Sequence, residues 1–366
     1  MAESRLHQVS ALGQSVWIDY LSRRLIHDGE LARLMADDAV VGITSNPTIF
    51  QKAIAEGDAY DAQMREVLAE EDDAKEVFLR LAVKDVQDAC DLLRPVWDKG
   101  KDGYVSIEVD PNFAFDTTAT IAEAQRLHEL VDRPNCFVKI PGTEAGLPAI
   151  EEMIARGRNI NVTLIFSLRR YAEVVDAYLR GLERLVESGG DPSKVASVAS
   201  FFVSRVDTEA DRRLDERDAP EELKGKLAVA NAKLAYQRYK ELFSGERWEA
   251  LRAKGATTQR CLWASTSTKN PAYRDVLYVE ELIGPETVNT MPEETIEAFQ
   301  DHGEVALTLD RDVDEAHAVF ERVAEAGVDY DDVVETLERE GVEKFSDSFK
   351  ELLDGVRAKR GELVSA

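Results

Sequence analysis

Eight short apolar runs, each separated from the next by a longer stretch with helical periodicity, constrain the fold of this chain more than any other feature. The runs are rich in Val, Ile and Phe, whereas the stretches between them are rich in Ala, Leu, Glu and Arg. Strands that are apolar on both faces and alternate with helices form a parallel sheet covered by helices. Eight such repeats close a (β/α)8 barrel, although the pattern alone also permits an open doubly wound sheet. The predicted strands span 15–19, 40–44, 104–108, 136–140, 160–166, 195–203, 259–265 and 286–290.

Two stretches are longer than a minimal barrel requires. Residues 50–98, after the second strand, exceed one crossover helix and are predicted to contain two or three helices. Near the C-terminus, Gly327 and Gly341 separate three further amphipathic segments. These segments span 312–325, 330–340 and 343–360. We therefore expect a barrel domain over residues 1–305 and a helical appendix over 306–366, packed on the barrel or on a partner subunit.

The charge of the chain excludes several classes of protein. The 366 residues include 71 acidic and 45 basic side chains, which gives a net charge of −26. An acidic chain without a basic patch repels the phosphates of nucleic acid, so a nucleic-acid binder is not expected. No stretch of about 18 residues lacks a charge, so no membrane span is expected. The N-terminus lacks the features of a secretory signal, and the three isolated cysteines favour burial over disulfides, so we expect a cytoplasmic protein.

The motifs of metal and nucleotide chemistry are missing. The five histidines are scattered, and there is no GxxxxGK[ST], GxGxxG or GxSxG motif. One acidic cluster has the spacing of a calcium loop, but Glu315 occupies the sixth position, where such a loop needs glycine. We interpret the cluster as the acidic start of a helix and expect neither a metal nor a cofactor. Its members are Asp310, Asp312, Asp314 and Glu321.

Polar residues lie where five of the apolar runs end. Catalytic groups of a (β/α)8 barrel lie at the carboxyl ends of its strands, so we expect these side chains to converge at one mouth of the barrel. Asp19 and Glu108 have an alternative role as structural ion-pair partners. The polar residues are Asp19, Glu108, Lys139, Asn161, Thr163 and Ser200.

Lys139 is the most informative of these residues. It lies between Val138 and Ile140, and the nearest acidic residues in sequence are Asp132 and Glu144. We therefore expect its amine to be desolvated and locally unpaired. Burial favours the neutral form of a lysine, and a neutral amine can attack a carbonyl carbon to form a Schiff base. The alternative is a lysine that reaches solvent or pairs with a carboxylate from another strand.

Six sequence blocks, taken in order, resemble the transaldolase family. The resemblance covers roughly residues 10–305. The last block and the C-terminal helices are similar to a longer bacterial branch of the family, which in some organisms is fused to glucose-6-phosphate isomerase. Because the chain ends at Ala366, no isomerase part is expected. The blocks are TSNPT (44–48), SIEVDP (106–111), VKIPGT (138–143), NINVTLIFS (159–167), SFFVSRVD (200–207) and WASTSTKNP (263–271).

The resemblance implies a fold and an activity. The fold is a (β/α)8 barrel of the class I aldolase type. The activity is transfer of a dihydroxyacetone unit from sedoheptulose 7-phosphate or fructose 6-phosphate to glyceraldehyde 3-phosphate or erythrose 4-phosphate. This reaction belongs to the non-oxidative pentose phosphate pathway, and the expected partners are sugar phosphates. We expect a monomer or a homodimer.

The resemblance also implies roles for individual residues. Lys139 matches the Schiff-base lysine. Glu108 matches the carboxylate that works through a bound water, and Thr163 the hydroxyl that helps hold this water. Asp19 matches the acid/base that deprotonates the C4 hydroxyl of the donor while the C3–C4 bond breaks. In this scheme the protonated imine accepts electrons and the carboxylates move protons. The residues that match groups binding the donor hydroxyls are Asn46, Asn161 and Ser200.

Phosphate recognition departs from the family pattern. Arg205 matches a phosphate-binding arginine, which suits bidentate contact with phosphate oxygens. Other members carry a second arginine shortly after the serine of the last block, whereas here Ser265 is followed by Thr, Ser, Thr and Lys269. We expect Lys269 and the neighbouring hydroxyls to replace that charge. The alternative is that Lys269 begins a solvated loop while Ser265 and Ser267 cap a helix.

Two competing functions remain to be weighed. A fructose 6-phosphate aldolase would cleave its substrate without preferring transfer. Relatives of that kind usually have a non-acidic residue in place of Glu108 and a tyrosine in place of Phe202, so the residues here favour transfer. A non-catalytic barrel that serves as an interaction module is the second alternative. No binding role needs the combination of Lys139, Glu108, Asp19 and Thr163.

Overall fold

In the computed structural model, which describes residues 4–55, 57–100 and 102–365, eight parallel strands close into a barrel. Each strand pairs with its sequence neighbours, and the first strand pairs with the last. Nearly all strand residues are buried, because helices cover the outer face and side chains fill the interior. The strands are β1 (Gln14–Asp19), β2 (Val40–Thr44), β3 (Tyr104–Glu108), β4 (Cys136–Pro141), β5 (Ile160–Ile165), β6 (Ser197–Phe202), β7 (Arg260–Ala264) and β8 (Thr287–Met291). The predicted (β/α)8 barrel is thus confirmed.

Amphipathic helices connect the strands, and several begin at capping side chains. Asp73, Asp116 and Ser167 each accept a hydrogen bond from a backbone N–H of the first turn that follows. Short 3₁₀ turns occupy 111–113, 192–194 and 221–223. The helices before β6 are α1 (Arg5–Ala11), α2 (Arg23–His27), α3 (Glu30–Asp37), α4 (Pro47–Ala55), α5 (Asp61–Leu68), α6 (Ala74–Trp97), α7 (Thr117–Val131), α8 (Gly146–Ala155) and α9 (Leu168–Glu187). Those after β6 are α10 (Val203–Asp215), α11 (Leu227–Leu242), α12 (Gly245–Arg252), α13 (Leu277–Glu281), α14 (Glu293–His302), α15 (Val313–Glu325) and α16 (Tyr330–Ser365).

The stretch after β2 contains three helices, α4, α5 and α6, which confirms the predicted extra helices there. None of the helices in the described ranges is both long and apolar enough to cross a membrane. The three cysteines are buried and free.

The C-terminal helices differ from the prediction in one respect. We expected a break at Gly341, but residues 330–365 form the single helix α16. A Cβ atom at Gly341 would lie 3.1 Å from Cδ2 of Leu164, so this glycine allows the helix to pass close to the end of β5 rather than ending it. α16 packs against α4, α6 and α10. The proposed domain boundary at residue 305 stays a prediction.

Candidate active site

A cavity of about 290 Å³ opens at the carboxyl ends of the strands. Eight of the ten predicted site residues line it, and they come from the four strands β1, β4, β5 and β6 or from the segments that follow β2, β6 and β7. Glu108 and Thr163 lie behind the cavity wall, where Glu108 contacts Lys139. The strand ends thus converge as the barrel geometry predicts. The lining residues are Asp19, Asn46, Lys139, Asn161, Ser200, Arg205, Ser265 and Lys269.

Lys139 lies on β4 with its side chain only 6% exposed. Its Nζ donates hydrogen bonds to the backbone carbonyl of Ser45 at 2.8 Å and to Oε2 of Glu108 at 3.2 Å. The expectation that this amine is locally unpaired is therefore wrong. Glu108 and Lys139 are direct partners in the register of β3 with β4, so the carboxylate comes from the neighbouring strand rather than from nearby sequence.

The Glu108 carboxyl is buried, with 5% of its side chain exposed. Burial raises its pKa, the ammonium of Lys139 opposes this effect, and the negative charge of Asp19 adds to it. Thr163 is close enough to lower the pKa slightly. Oε1 of Glu108 and Oγ1 of Thr163 are nevertheless buried without a direct hydrogen-bond partner among the residues that the structure describes. Both oxygens can therefore bond to a ligand or to a water.

Asp19 closes β1 and faces the same cavity. Oγ1 of Thr44 donates to its Oδ1 at 2.6 Å, and Thr44 also contacts the hydroxyl of Thr290 at 2.7 Å. Burial raises the pKa of Asp19, while the hydrogen bond from Thr44 and the charge of Lys139 lower it. Two carboxyl groups with raised pKa values therefore flank one buried lysine, an arrangement typical of acid–base chemistry.

The floor of the cavity carries a short hydrogen-bonded chain. Oγ of Ser200 donates to Oδ1 of Asn161 at 2.7 Å, and Nδ2 of Asn161 donates to Oγ of Ser106 at 3.2 Å. These bonds hold the Asn161 amide in one orientation. Asn46 precedes α4, and its Oδ1 accepts a hydrogen bond from the N–H of Ile49 at 3.1 Å, which leaves its Nδ2 as a donor. Asn46, Asn161 and Ser200 thus offer polar groups suited to the hydroxyls of a sugar.

Arg205 lies in the first turn of α10. Its guanidinium stacks on the rings of Phe202 and Phe345, with the Cζ atom 4.9 Å and 5.7 Å from the two ring centres. Burial lowers the pKa of Arg205, and its Nη1 has no hydrogen-bond partner within the described ranges. A buried guanidinium without a partner is costly, so this position favours an anionic ligand.

Ser265 and Lys269 approach the cavity from the segment after β7. The Ser265 backbone has a φ of +55°, and its hydroxyl lies 2.8 Å from that of Ser204 at the start of α10. Nζ of Lys269 donates to Oγ of Ser267 at 2.6 Å. Arg205, Ser265 and Lys269 thus line one cavity together, as the predicted phosphate site requires.

Among the lining residues that were not predicted as site residues, three bear on the chemistry of the cavity. Thr44 had a signal, because it ends an apolar run and opens the TSNPT block. Lys52 on α4 adds an exposed cation. Phe345 had no signal: it belongs to α16, and its ring centre lies 5.9 Å from Nζ of Lys139. A helix that follows a completed barrel can cover either end of it, so only the structure shows that α16 contributes to this cavity.

Comparisons with known proteins agree with this geometry. The family model of transaldolase/fructose-6-phosphate aldolase matches residues 16–356, which include most of α16. A transaldolase of Frankia alni is 53% identical over 361 residues, with 97% of each chain covered. Transaldolase 2 of Streptomyces avermitilis is 52% identical over 364 residues, with 98% of each chain covered. A transaldolase of Acidothermus cellulolyticus is 54% identical over 356 residues, covering 96% of this chain and 95% of its own. The chain belongs to the transaldolase/fructose-6-phosphate aldolase family.

Proposed function

We propose that this chain acts as a transaldolase of the non-oxidative pentose phosphate pathway. It transfers a dihydroxyacetone unit from sedoheptulose 7-phosphate or fructose 6-phosphate to glyceraldehyde 3-phosphate or erythrose 4-phosphate. The observation that carries the proposal is the buried pair of Lys139 and Glu108 beside a cavity that also holds Asp19. A nucleophilic amine with a carboxyl group in direct contact, and a second carboxyl group nearby, suits Schiff-base chemistry.

Formation of the imine uses Lys139 and Glu108. The amine of Lys139 attacks the C2 carbonyl carbon of the donor, and Glu108, in contact with this amine, takes up its proton. The carbonyl oxygen then leaves as water and a protonated imine remains. The unpartnered oxygens of Glu108 and Thr163 support a role for both residues in holding a water that carries the proton.

Cleavage of the donor uses Asp19. Its carboxylate takes the proton of the C4 hydroxyl, the C3–C4 bond breaks, and the bonding electrons move into the protonated imine while the aldose phosphate leaves. Burial raises the pKa of Asp19, which makes its carboxylate a stronger base than an exposed aspartate. The acceptor aldehyde then forms the new carbon–carbon bond by the reverse steps, and water releases the product from Lys139.

Binding of the sugar phosphates uses the remaining polar groups. We assign the donor hydroxyls to Asn46, Asn161 and Ser200. The phosphate contacts Arg205, with Ser265 and Lys269 completing its shell. These cations form a small basic region inside a chain of net charge −26, so an acidic protein can still bind anionic substrates.

We propose a cytoplasmic location, which suits the three buried, free cysteines, and we expect a monomer or a homodimer. No nucleic-acid partner is proposed.

The family description also covers fructose 6-phosphate aldolases, so direct cleavage is the second candidate function. Two residues favour transfer: the Glu108 carboxylate and Phe202, which replaces the tyrosine usual in such aldolases. The test supplies fructose 6-phosphate with and without erythrose 4-phosphate and measures glyceraldehyde 3-phosphate and free dihydroxyacetone. We expect turnover to depend on the acceptor. Release of dihydroxyacetone as fast as transfer would contradict the transaldolase assignment.

A further inference from the structure

A second cavity, of about 560 Å³, lies at the opposite end of the barrel, where the strands begin. Its wall contains residues that precede or open β3 to β7, including Tyr104, Asn159 and Ala196. The side chains of Trp97, His128 and Arg158 also line it. The mechanism proposed above uses none of these residues.

Two buried nitrogen atoms of this cavity lack partners. Nε2 of His128 and Nε of Arg158 have no hydrogen bond to any described residue, and the His128 side chain is only 8% exposed. In the described ranges, one other buried arginine nitrogen is unpartnered: Nη1 of Arg205, in the proposed phosphate site. A buried donor without a partner is costly, so both arginines occupy positions that a ligand would stabilise.

The charge of the cavity indicates an anion. Arg158 forms no ion pair with any residue in the described part of the chain, and Lys194 is exposed, with Asp191 at 3.9 Å. Arg133 and Asp98 also line the cavity, but each is paired, Arg133 with Asp91 and Asp98 with Arg94. An unpaired arginine is notable in a chain with 71 acidic and 45 basic residues. The guanidinium of Arg158 suits a phosphate or a carboxylate.

His128 indicates a second group that a ligand of this cavity would carry. Burial and the charge of Arg158 lower its pKa to about 4, so the ring is neutral at physiological pH. The backbone carbonyl of Asn159 has the opposite, smaller effect on the pKa of His128. In a neutral imidazole with one N–H donor, the remaining nitrogen is an acceptor. We assign the proton of the neutral ring to the nitrogen other than Nε2, where the Asn159 carbonyl can accept it, so that Nε2 is the acceptor and needs a donor such as a hydroxyl group of a ligand.

We propose that this cavity binds a hydroxyl-bearing organic anion. Arg158 contacts its phosphate or carboxylate, Nε2 of His128 accepts a hydrogen bond from one of its hydroxyls, and the rings of Trp97 and Tyr104 pack against its carbon chain. The proposal does not depend on the activity assigned to the other end of the barrel.

The test measures binding by isothermal titration calorimetry with two probes, sorbitol 6-phosphate and gluconate. Neither has a ketone to form an imine with Lys139. Because sorbitol 6-phosphate can also enter the proposed phosphate site, the full-length Arg205→Gln variant is the reference protein. We expect this variant to bind at least one of the probes, and the probe that binds identifies the anionic group. Adding Arg158→Gln weakens the binding about tenfold or more, the effect of losing about 1.4 kcal/mol from a charge-assisted bond.

Further variants separate recognition from general effects. His128→Phe fills the same space without an acceptor and is expected to weaken the binding as well. Arg311→Gln, which removes an exposed arginine outside both cavities, leaves it unchanged. Failure of both probes to bind the Arg205→Gln protein, or binding that Arg158→Gln does not alter, would overturn the proposal. Equal affinity for inorganic sulfate, which carries no hydroxyl group at neutral pH, would contradict the role of the hydroxyl group and of His128.

Discussion

Phe345→Ala tests whether α16 is part of the active site. The Phe345 side chain is 7% exposed and packs edge-on against Phe202, with 6.1 Å between the ring centres. Its ring centre lies 5.9 Å from Nζ of Lys139 and 5.7 Å from Cζ of Arg205. Removing a buried phenylalanine ring costs about 3–5 kcal/mol of stability. We expect a loss in that range, because the aromatic contact and the contacts with both cations disappear together.

The same substitution should change the outcome of the reaction. The ring covers the lysine that is proposed to carry the three-carbon intermediate, so its removal admits water beside the imine. We expect hydrolytic release of dihydroxyacetone to rise relative to transfer by about tenfold, which corresponds to about 1.4 kcal/mol of lost discrimination against water. The assay follows free dihydroxyacetone and transfer product in one mixture of fructose 6-phosphate and erythrose 4-phosphate.

Phe349 provides a matched control on the same helix. It is 5% exposed and packs edge-on against Phe78 at 6.0 Å, but it does not line the cavity. Phe349→Ala should therefore lower the free energy of unfolding by a similar amount in urea denaturation, without altering the ratio of release to transfer. If both variants shift that ratio equally, Phe345 acts only through the stability of α16 and has no role in excluding water from the imine.

Three further predictions follow from single side chains. Arg205→Gln should lower kcat/KM for fructose 6-phosphate about 30-fold or more, the effect of about 2 kcal/mol, and change turnover of unphosphorylated fructose little; equal losses would argue against a phosphate contact. Asp19→Asn should retain imine formation but lose bond cleavage, so borohydride would trap the whole six-carbon sugar, and a three-carbon adduct would contradict the role of Asp19. Burial raises the pKa of Asp207, a residue hydrogen-bonded by Tyr278, to about 7, so the folded chain keeps a proton that the unfolded chain releases near pH 4. The free energy of unfolding should fall by up to about 4 kcal/mol as pH rises from about 4 to 7, and Asp207→Asn should remove this slope in urea titrations at several pH values; an unchanged slope would contradict the assignment.

The barrel and most of the cavity could be predicted from the sequence for one physical reason. Parallel strands in a closed barrel all point their carboxyl ends the same way, so polar residues that end apolar runs must meet there. Asp19, Lys139 and Ser200 could therefore be placed together before any coordinates were known. Their chemical roles rest on resemblance and stay predictions.

Contacts that depend on register or on long-range packing could not be predicted. The pairing of Lys139 with Glu108 needs the β3–β4 register, because the two residues are 31 positions apart. The path of α16 depends on how the whole helix packs across the barrel, which the sequence does not show. A glycine that allows close approach and a glycine that ends a helix look the same in a sequence, so Gly341 was interpreted as a break. Phe345 was not predicted as a site residue, because its place in the cavity depends on the path of α16.

Borohydride trapping tests the central proposal most directly. The full-length chain is incubated with fructose 6-phosphate, reduced with borohydride, digested and analysed by mass spectrometry of its peptides. We expect one reduced three-carbon adduct, located on Lys139 and absent from a Lys139→Arg variant. An adduct on another lysine, or none on Lys139 while transfer proceeds, would contradict the Schiff-base mechanism.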